Sequence, residues 1–325
     1  MKYSIFRANL QKNIHFIIIF RIFVFVKIHI FNPENDMALA DGTPGYTPPA
    51  NIRAYRKANR HLPEAWASPG DIVWDGESSL ADLFLQKVSD TILKKIEICP
   101  WGWSKAIVHQ MEMAGVPRNR MPSDEWLDRL RTLSNRVSTV KVQRQLGVEA
   151  YVCHTLSELF TLHPSLFTNG RAVLKSPWSS SGKGLMFLDN PNWQGWAKRI
   201  LKLQGAVIVE RLLDRQQDFA MEFYMREGRA EYLGLSIFNT DDHGHYINNV
   251  KASEEEKLQL LVSLNPEIPK SLDSTRDWYL GNLPLIAPFY TGPVGVDMLI
   301  TKDGYLCPCI EINWRMTMGM VALKQ

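Results

Sequence analysis

The sequence predicts an α/β protein whose second half turns α+β, with a small parallel sheet leading and longer antiparallel strands following. Three observations carry this. Strand-like and helix-like segments alternate from Lys27 to about residue 120. Three strand-like runs, "DFAMEFYM", "YLGLSIFN" and "HYINNVKA", then succeed one another with no helix between them. The chain closes on a two-stranded pattern, "GPVGVDMLITKDGYLCPCIEINWR", folded about Lys302-Asp303-Gly304.

With 325 residues the chain can bury two or three packed subdomains. Its 45% hydrophobic and 22% charged residues are ordinary for a globular protein. No repeat of 20 to 50 residues is visible, which argues against a solenoid or propeller. The net charge of +3 is uneven: residues 1–31 hold five basic and no acidic residues, leaving 32 basic against 34 acidic beyond them. The body is near neutral, so no global field points to nucleic acid. Cys99, Cys153, Cys307 and Cys309 have no zinc-site spacing. They read as buried free thiols in a reducing compartment, the cytoplasm.

Residues 1–26 form a basic, apolar extension in which "IHFIIIFRIFVFV" (14–26) is shorter than a membrane span and carries Arg21 near its middle. A weak anchor, a processed leader and translated sequence upstream of the true start compete here. The last is preferred, because the globular pattern begins at Lys27.

A first domain is expected over 27–125. Lys27–Phe31 is a strand, followed by the polar loop "NPENDMALADGTPGYTPP". Ile52–Arg60 is a helix, "DIVWDG" a short strand and Leu80–Leu93 an amphipathic helix. "KIEICPWGWS" is a strand ending in a loop, and Ser104–Met113 a helix. A second domain is expected over 126–325, divided near residue 205. Its opening helices are Met121–Leu133 and Val137–Gln145, the latter closed by Gly147. Ala150–Val152 is a strand, Leu156–Leu162 a helix, "RAVLKSP" and "GLMFL" strands, Trp193–Leu203 a helix and "AVIVERLL" a strand. Helices at Ser253–Leu264 and "STRDWYLGNL" precede the terminal hairpin. His243 and His245 mark a hairpin tip in preference to a metal site.

The stretch "LKSPWSSSGKGL" (174–185) lacks the Walker spacing and joins two strands instead of opening a helix. Its small residues let backbone N–H groups approach an anion, with Lys183 and Lys175 adding charge. A solvated hairpin tip explains the segment equally well. A Ser-x-x-Lys nucleophile at Ser180 and Lys183 fails for want of a Lys-Thr-Gly partner.

In the terminal hairpin a three-residue loop pairs Thr301 with Tyr305 and sets Asp297 opposite Cys309. Asp297, Glu311 and Asn313 then share one face. Hard oxygen ligands with open positions suit Mg²⁺ held mainly through nucleotide phosphates. The competing view is a polar, solvent-facing hairpin side, against which "CPCI" and "MLI" are strongly apolar.

Taken in order, these pieces over residues 126–325 resemble the ATP-grasp superfamily, whose members clamp ATP between two α+β subdomains. The resemblance implies phosphate contacts from Arg136, where lysine is commoner, and from Lys175, although Lys141 competes with Arg136 for its place. Ser179, Ser180, Ser181, Gly182, Lys183 and Gly184 match the mobile flap over the phosphates. Glu210 matches the acceptor of the adenine amino group, with the backbone of Arg211 and Leu212 serving the ring. Asp218, with Gln217 as fallback, matches the ribose acid, and Lys251 a further phosphate lysine. Asp297, Glu311 and Asn313 match the Mg²⁺ ligands (Mn²⁺ is an alternative), and Arg315 the arginine that steadies the transferred group, unless it simply pairs with Glu311. Trp314 stands where proline is common, and the chain stops soon after the motif.

The resemblance implies an ATP-dependent ligase, the rival being a non-catalytic ATP-binding protein or a truncated ligase. A small-molecule carboxylate would become an acyl-phosphate, and an amine or similar nucleophile would displace phosphate. No nucleic acid or membrane partner is implied. Substrate contacts are expected from "FNPEND" and Pro100–Ser104, where Trp101 and Trp103 either stack on a ring or, the preferred reading, cap the core.

Overall fold

The computed structural model describes residues 22–85, 92–166, 171–179, 184–241 and 246–324. Most of the N-terminal extension, the flap residues Ser180, Ser181, Gly182 and Lys183, and the His243–His245 tip lie outside them.

The first domain is a three-stranded parallel sheet in the order β2-β1-β3. β1 (Ile22–Ile30) runs at its centre, β2 (Ile72–Val73) and β3 (Ile92–Pro100) flanking it. β1 begins five residues before the expected Lys27, pairing without interruption from Ile22↔Ile92 to Ile30↔Pro100. The run "IFVFV" is β-branched and aromatic, and a full-length partner strand is available to it. Helices α1 (Asn35–Asp41), α2 (Ala50–Ala58) and α3 (Ala81–Leu85) follow the strands, then α4 (Lys105–Met113). The expected helix to Leu93 is thereby corrected, since Ile92 and Leu93 belong to β3. Ile28, Ile30, Trp74, Ile98, Ile107 and Met111 form the core of this domain.

Two capped helices lead to the second domain. Ser123 caps α5 (Asp124–Ser134) through Trp126 N, and Asn135 caps α6 (Arg136–Gln145) through Val137 N. A four-stranded antiparallel sheet follows, ordered β4-β7-β5-β6. Its strands are β4 (Ala150–Cys153), β5 (Ala172–Lys175), β6 (Leu185–Phe187) and β7 (Val207–Arg211). α7 (Leu156–Leu166) and α8 (Trp193–Gln204) join them and contribute Leu159, Ala197 and Ile200 to the core on this sheet.

The largest sheet has the order β10-β9-β8-β11-β12, all antiparallel. It comprises β8 (Arg215–Arg226), β9 (Arg229–Thr240), β10 (Tyr246–Asn249), β11 (Gly292–Thr301) and β12 (Leu306–Asn313). α9 (Glu254–Leu264) carries a full capping box on Ser253 and Glu256. α10 (Ile268–Ile286) is longer than expected and contains Pro284 in its last turn. α11 (Met318–Ala322) closes the chain. Side chains alternate along β8. Phe219, Met221 and Phe223 sink into the core, while Asp218, Ala220 and Glu222 face a cleft.

The terminal hairpin departs from its expected register. Thr301 N donates to Tyr305 O at 2.9 Å around the turn, where Gly304 adopts φ 82°. Beyond Leu299↔Cys307 the ladder breaks, and Asp297 lies opposite Glu311 instead of Cys309. The cause is Pro308, which has no N–H and whose carbonyl accepts from Tyr279 Oη at 2.9 Å. The slip is two residues, so parity survives and the carboxylates still share a face.

Phe219 is fully buried on the strand that presents Asp218 and Glu222. Phe219→Ala is expected to cost about 3–5 kcal/mol, read by urea unfolding.

Candidate functional site

The cleft holds about 800 Å³ between the four-stranded sheet, one face of the five-stranded sheet and the first domain. Polar side chains reach it from all three.

At one end lies a buried ion pair. Lys175 Nζ stands 2.6 Å from Glu210 Oε2, and the two residues are only 8% and 6% exposed. Gln143 Nε2 also donates to Glu210 Oε1 at 3.2 Å. Burial of such a pair demands this dense bonding. Arg211 lines the cleft at the end of β7. The Leu212 N–H is not free for a ring, because it donates to Arg171 O at 2.7 Å as a continuation of the sheet. That part of the expected adenine contact is corrected; the Leu212 residue still lines the wall.

Asp218 faces the cleft, accepting from Thr240 Oγ1 at 2.6 Å with Arg215 Nε at 3.4 Å. Burial raises its pKa, against the pull of Arg215 and Thr240. Gln217 turns its amide to the Asp218 and Phe238 carbonyls and does not line the cleft.

The hairpin carboxylates form the centre. Asp297 and Glu311 are directly paired across β11 and β12, and Asn313 Nδ2 donates to Asp297 Oδ2 at 3.1 Å. Burial pushes the Asp297 carboxyl up to about 8, and the neighbouring negative charges of Glu311 and Glu222 add to it. Asn313 and Arg315 oppose that shift. The arrangement fits a divalent cation, whose charge would relieve this repulsion. Among the described residues no group of three His, Cys, Asp or Glu side chains forms a cation cage. Two carboxylates and an amide are a partial set that phosphate oxygens or water would complete.

Two cationic side chains converge here, though not as the resemblance implied. Arg136 Nη2 pairs with Glu311 at 2.9 Å, and its Nη1 donates to Ser176 O at 3.0 Å and to Ser179 Oγ. Ser179 thus ties the base of the flap to α6, while Ser176 N donates to Gly184 O at 2.8 Å. Lys141 does not line the cleft, whereas Arg136 does. Arg315 does not pair with Glu311. It grips Asp36 of the first domain, Nε to Oδ1 at 2.9 Å and Nη2 to Oδ2 at 2.7 Å. Burial works against its charge, but Asp36, Glu311 and Asp297 hold it firmly protonated. Lys251 is exposed on the loop after β10 and is not among the cleft residues.

Trp314, in place of the common proline, is 3% exposed and packs edge-on against Tyr290 at 5.3 Å. Trp101 caps the core, as expected, and also lines the cleft beside Phe31. Sequence reasoning missed Glu222, which stands on the same face of β8 as Asp218 with its carboxyl pushed up to about 7 by burial, against the Ser236 and Thr317 hydroxyls and Arg315. The period-2 spacing Asp218, Ala220, Glu222 carried that signal.

No family model matches the sequence. The [butirosin acyl-carrier protein]–L-glutamate ligase of Niallia circulans is 25% identical over 197 residues, covering 58% of this chain and 44% of that protein. The matched stretch thus spans less than half the length of this curated relative. D-alanyl-alanine synthetase A of Vibrio cholerae has 13% identity and a TM-score of 0.51, with 90% of each chain covered. The phosphoribosylamine–glycine ligase of Thermotoga maritima has 14% identity and a TM-score of 0.49, over 91% of this chain and 71% of its own. The likeness to the Vibrio synthetase is one of fold, and the fold is that of the ATP-grasp enzymes.

Asp297 gives a signed pH dependence. Its unfolded carboxyl titrates near 3.8, while the folded one keeps its proton to about 8. Between these values the folded state binds more protons, so its stability falls as pH rises from about 4 to about 8. Asp297→Asn is expected to flatten that slope in metal-free melting curves and to raise Tm at pH 8 by about 2–4 °C. The same variant should lose stabilisation by Mg·ATP.

Proposed function

We propose that this chain, built on the ATP-grasp fold, is an ATP- and Mg²⁺-dependent ligase that activates a substrate carboxylate as an acyl-phosphate and joins it to an amine or similar nucleophile. The observation that carries the reading is the meeting of Asp297, Glu311 and Asn313 with Lys175, Arg136 and Arg315 in one cleft. The name of the Niallia relative, a ligase of L-glutamate, supports an amino acid as one substrate.

In the first step the carboxylate oxygen bonds to the γ-phosphorus, the β,γ bond breaks and ADP departs. In the second the amine attacks the acyl carbon, phosphate leaves and the nitrogen gives up a proton. Asp297, Glu311 and Asn313 would hold Mg²⁺, which when bound would supply charge neutralisation for the phosphates. Lys175, fixed on β5, holds phosphate at a set point, and the serines and Lys183 of the flap complete the cover. Arg136 is presently bonded to Glu311, so a phosphate competes for its guanidinium. Arg315 stands between the metal ligands and Asp36, where it steadies negative charge on the transferred group. The sugar hydroxyls fall to Asp218 and the adenine edge to Glu210. The chemistry is positioning and charge neutralisation, without a side-chain nucleophile. Lys251 joins such a site only if its loop moves inward.

Small-molecule carboxylate and amine partners follow from this reading. The buried free thiols support a cytoplasmic setting. Among the described residues, no helix is long and apolar enough to cross a membrane.

Millimolar Mg·ATP is expected to raise the melting temperature by several degrees. An unchanged melt would remove the nucleotide reading altogether. With Mg·ATP and a panel of amino acids and amines, ADP release is expected from the wild type. Glu311→Gln should melt like the wild type yet release no ADP; full activity in that variant would refute the metal assignment.

A further inference from the structure

Glu222 is 1% exposed in the middle of β8, and its side chain borders the cleft. Oε1 accepts from Ser236 Oγ at 2.9 Å. Oε2 is buried and has no hydrogen-bond partner among the described residues. The Thr317 hydroxyl and Arg315 lie near enough to favour the charged form. A buried carboxylate oxygen without a donor is unfavourable, and such a group persists when something outside the chain supplies the donor.

Side-chain-free backbone packs against that carboxylate on two sides. Gly295 and Gly319 face the carboxylate: a Cβ on Gly295 would stand 2.8 Å from Oε2, and one on Gly319 would overlap Oε1. The residue opposite Glu222 on β9 is also glycine, Gly234. The chain's own cations nearby are already engaged, Arg136 with Glu311, Lys175 with Glu210 and Arg315 with Asp36. What is missing is a small cationic N–H donor. The first-domain wall of the same cleft carries Phe31 and Trp101, edge to face at 5.3 Å, and Met318 packs on them. An apolar, aromatic wall suits a carbon skeleton and attracts an ammonium group.

We propose that Glu222 Oε2 binds the ammonium nitrogen of the amine substrate, whose carbon skeleton lies against Phe31, Trp101 and Met318. This rests on the ligase reading above and adds to it where the nucleophile sits.

The probe is methylammonium chloride, with methanol as its neutral counterpart, added to the full chain loaded with Mg·ADP and followed by saturation-transfer NMR. Methylammonium is expected to receive saturation from the wild-type protein and methanol not to. Glu222→Gln should reduce the methylammonium signal about tenfold while keeping the Mg·ADP melting shift. An equal signal in the variant, or none in the wild type, overturns the proposal. Should Glu222→Gln not fold, Glu222→Asp retracts the charge by one methylene; a reduced signal supports the proposal and an undiminished one overturns it. Loss of the Mg·ADP shift in the wild type would instead count against the nucleotide reading, so the two failures are distinguishable.

Discussion

Two carboxylates set directly opposite each other on adjacent strands govern this molecule. Like charges at Asp297 and Glu311 repel, and their half-buried setting strengthens the repulsion. The surrounding structure reads as an answer to that constraint. α6 sends Arg136 to Glu311, β12 continues to Asn313, which bonds Asp297, and the next turn supplies Arg315. Each compensation is partial, since Asp297 still keeps its proton far above the usual carboxylate range. A site that stays electrostatically unfinished is suited to a cation and to phosphate that arrive together.

The same residues join the two domains. Arg315 reaches across to Asp36 with two hydrogen-bonding nitrogens, and Met316 N donates to Trp101 O at 2.8 Å. α11 then packs Val321 and Met318 on Phe31 and Trp101. The first domain is therefore anchored to the segment that immediately follows Glu311 and Asn313, the proposed metal ligands. Any displacement of that segment is felt both at the carboxylates and at the loop expected to meet substrate.

Much of this was legible in the chain. The alternation of strand and helix specified the parallel sheet, and the three-residue turn specified the face shared by Asp297, Glu311 and Asn313. The register itself was not legible, because it depends on Pro308 finding Tyr279, a contact 29 residues away in sequence. The partners of Arg136 and Arg315 were likewise hidden. Charge type and order identify such residues, but which carboxylate each one meets is settled by the packing of distant elements. Leu212 shows the same limit for backbone groups, since its N–H is claimed by the carbonyl of Arg171, just ahead of β5. Glu222 was readable from its period-2 relation to Asp218, yet burial without a partner is a property only of the folded chain.

The bulge at Pro308 sets a rule for how this sequence can change length. Three residues, Pro308, Cys309 and Ile310, stand opposite the single Met298. Lengthening or shortening the strand by two residues at that point would keep Glu311 facing Asp297. A change of one would turn Glu311 and Asn313 into the hydrophobic layer beneath the sheet and bring Ile312 up in their place. Insertions and deletions between Gly304 and Glu311 are thus constrained by parity more tightly than by number.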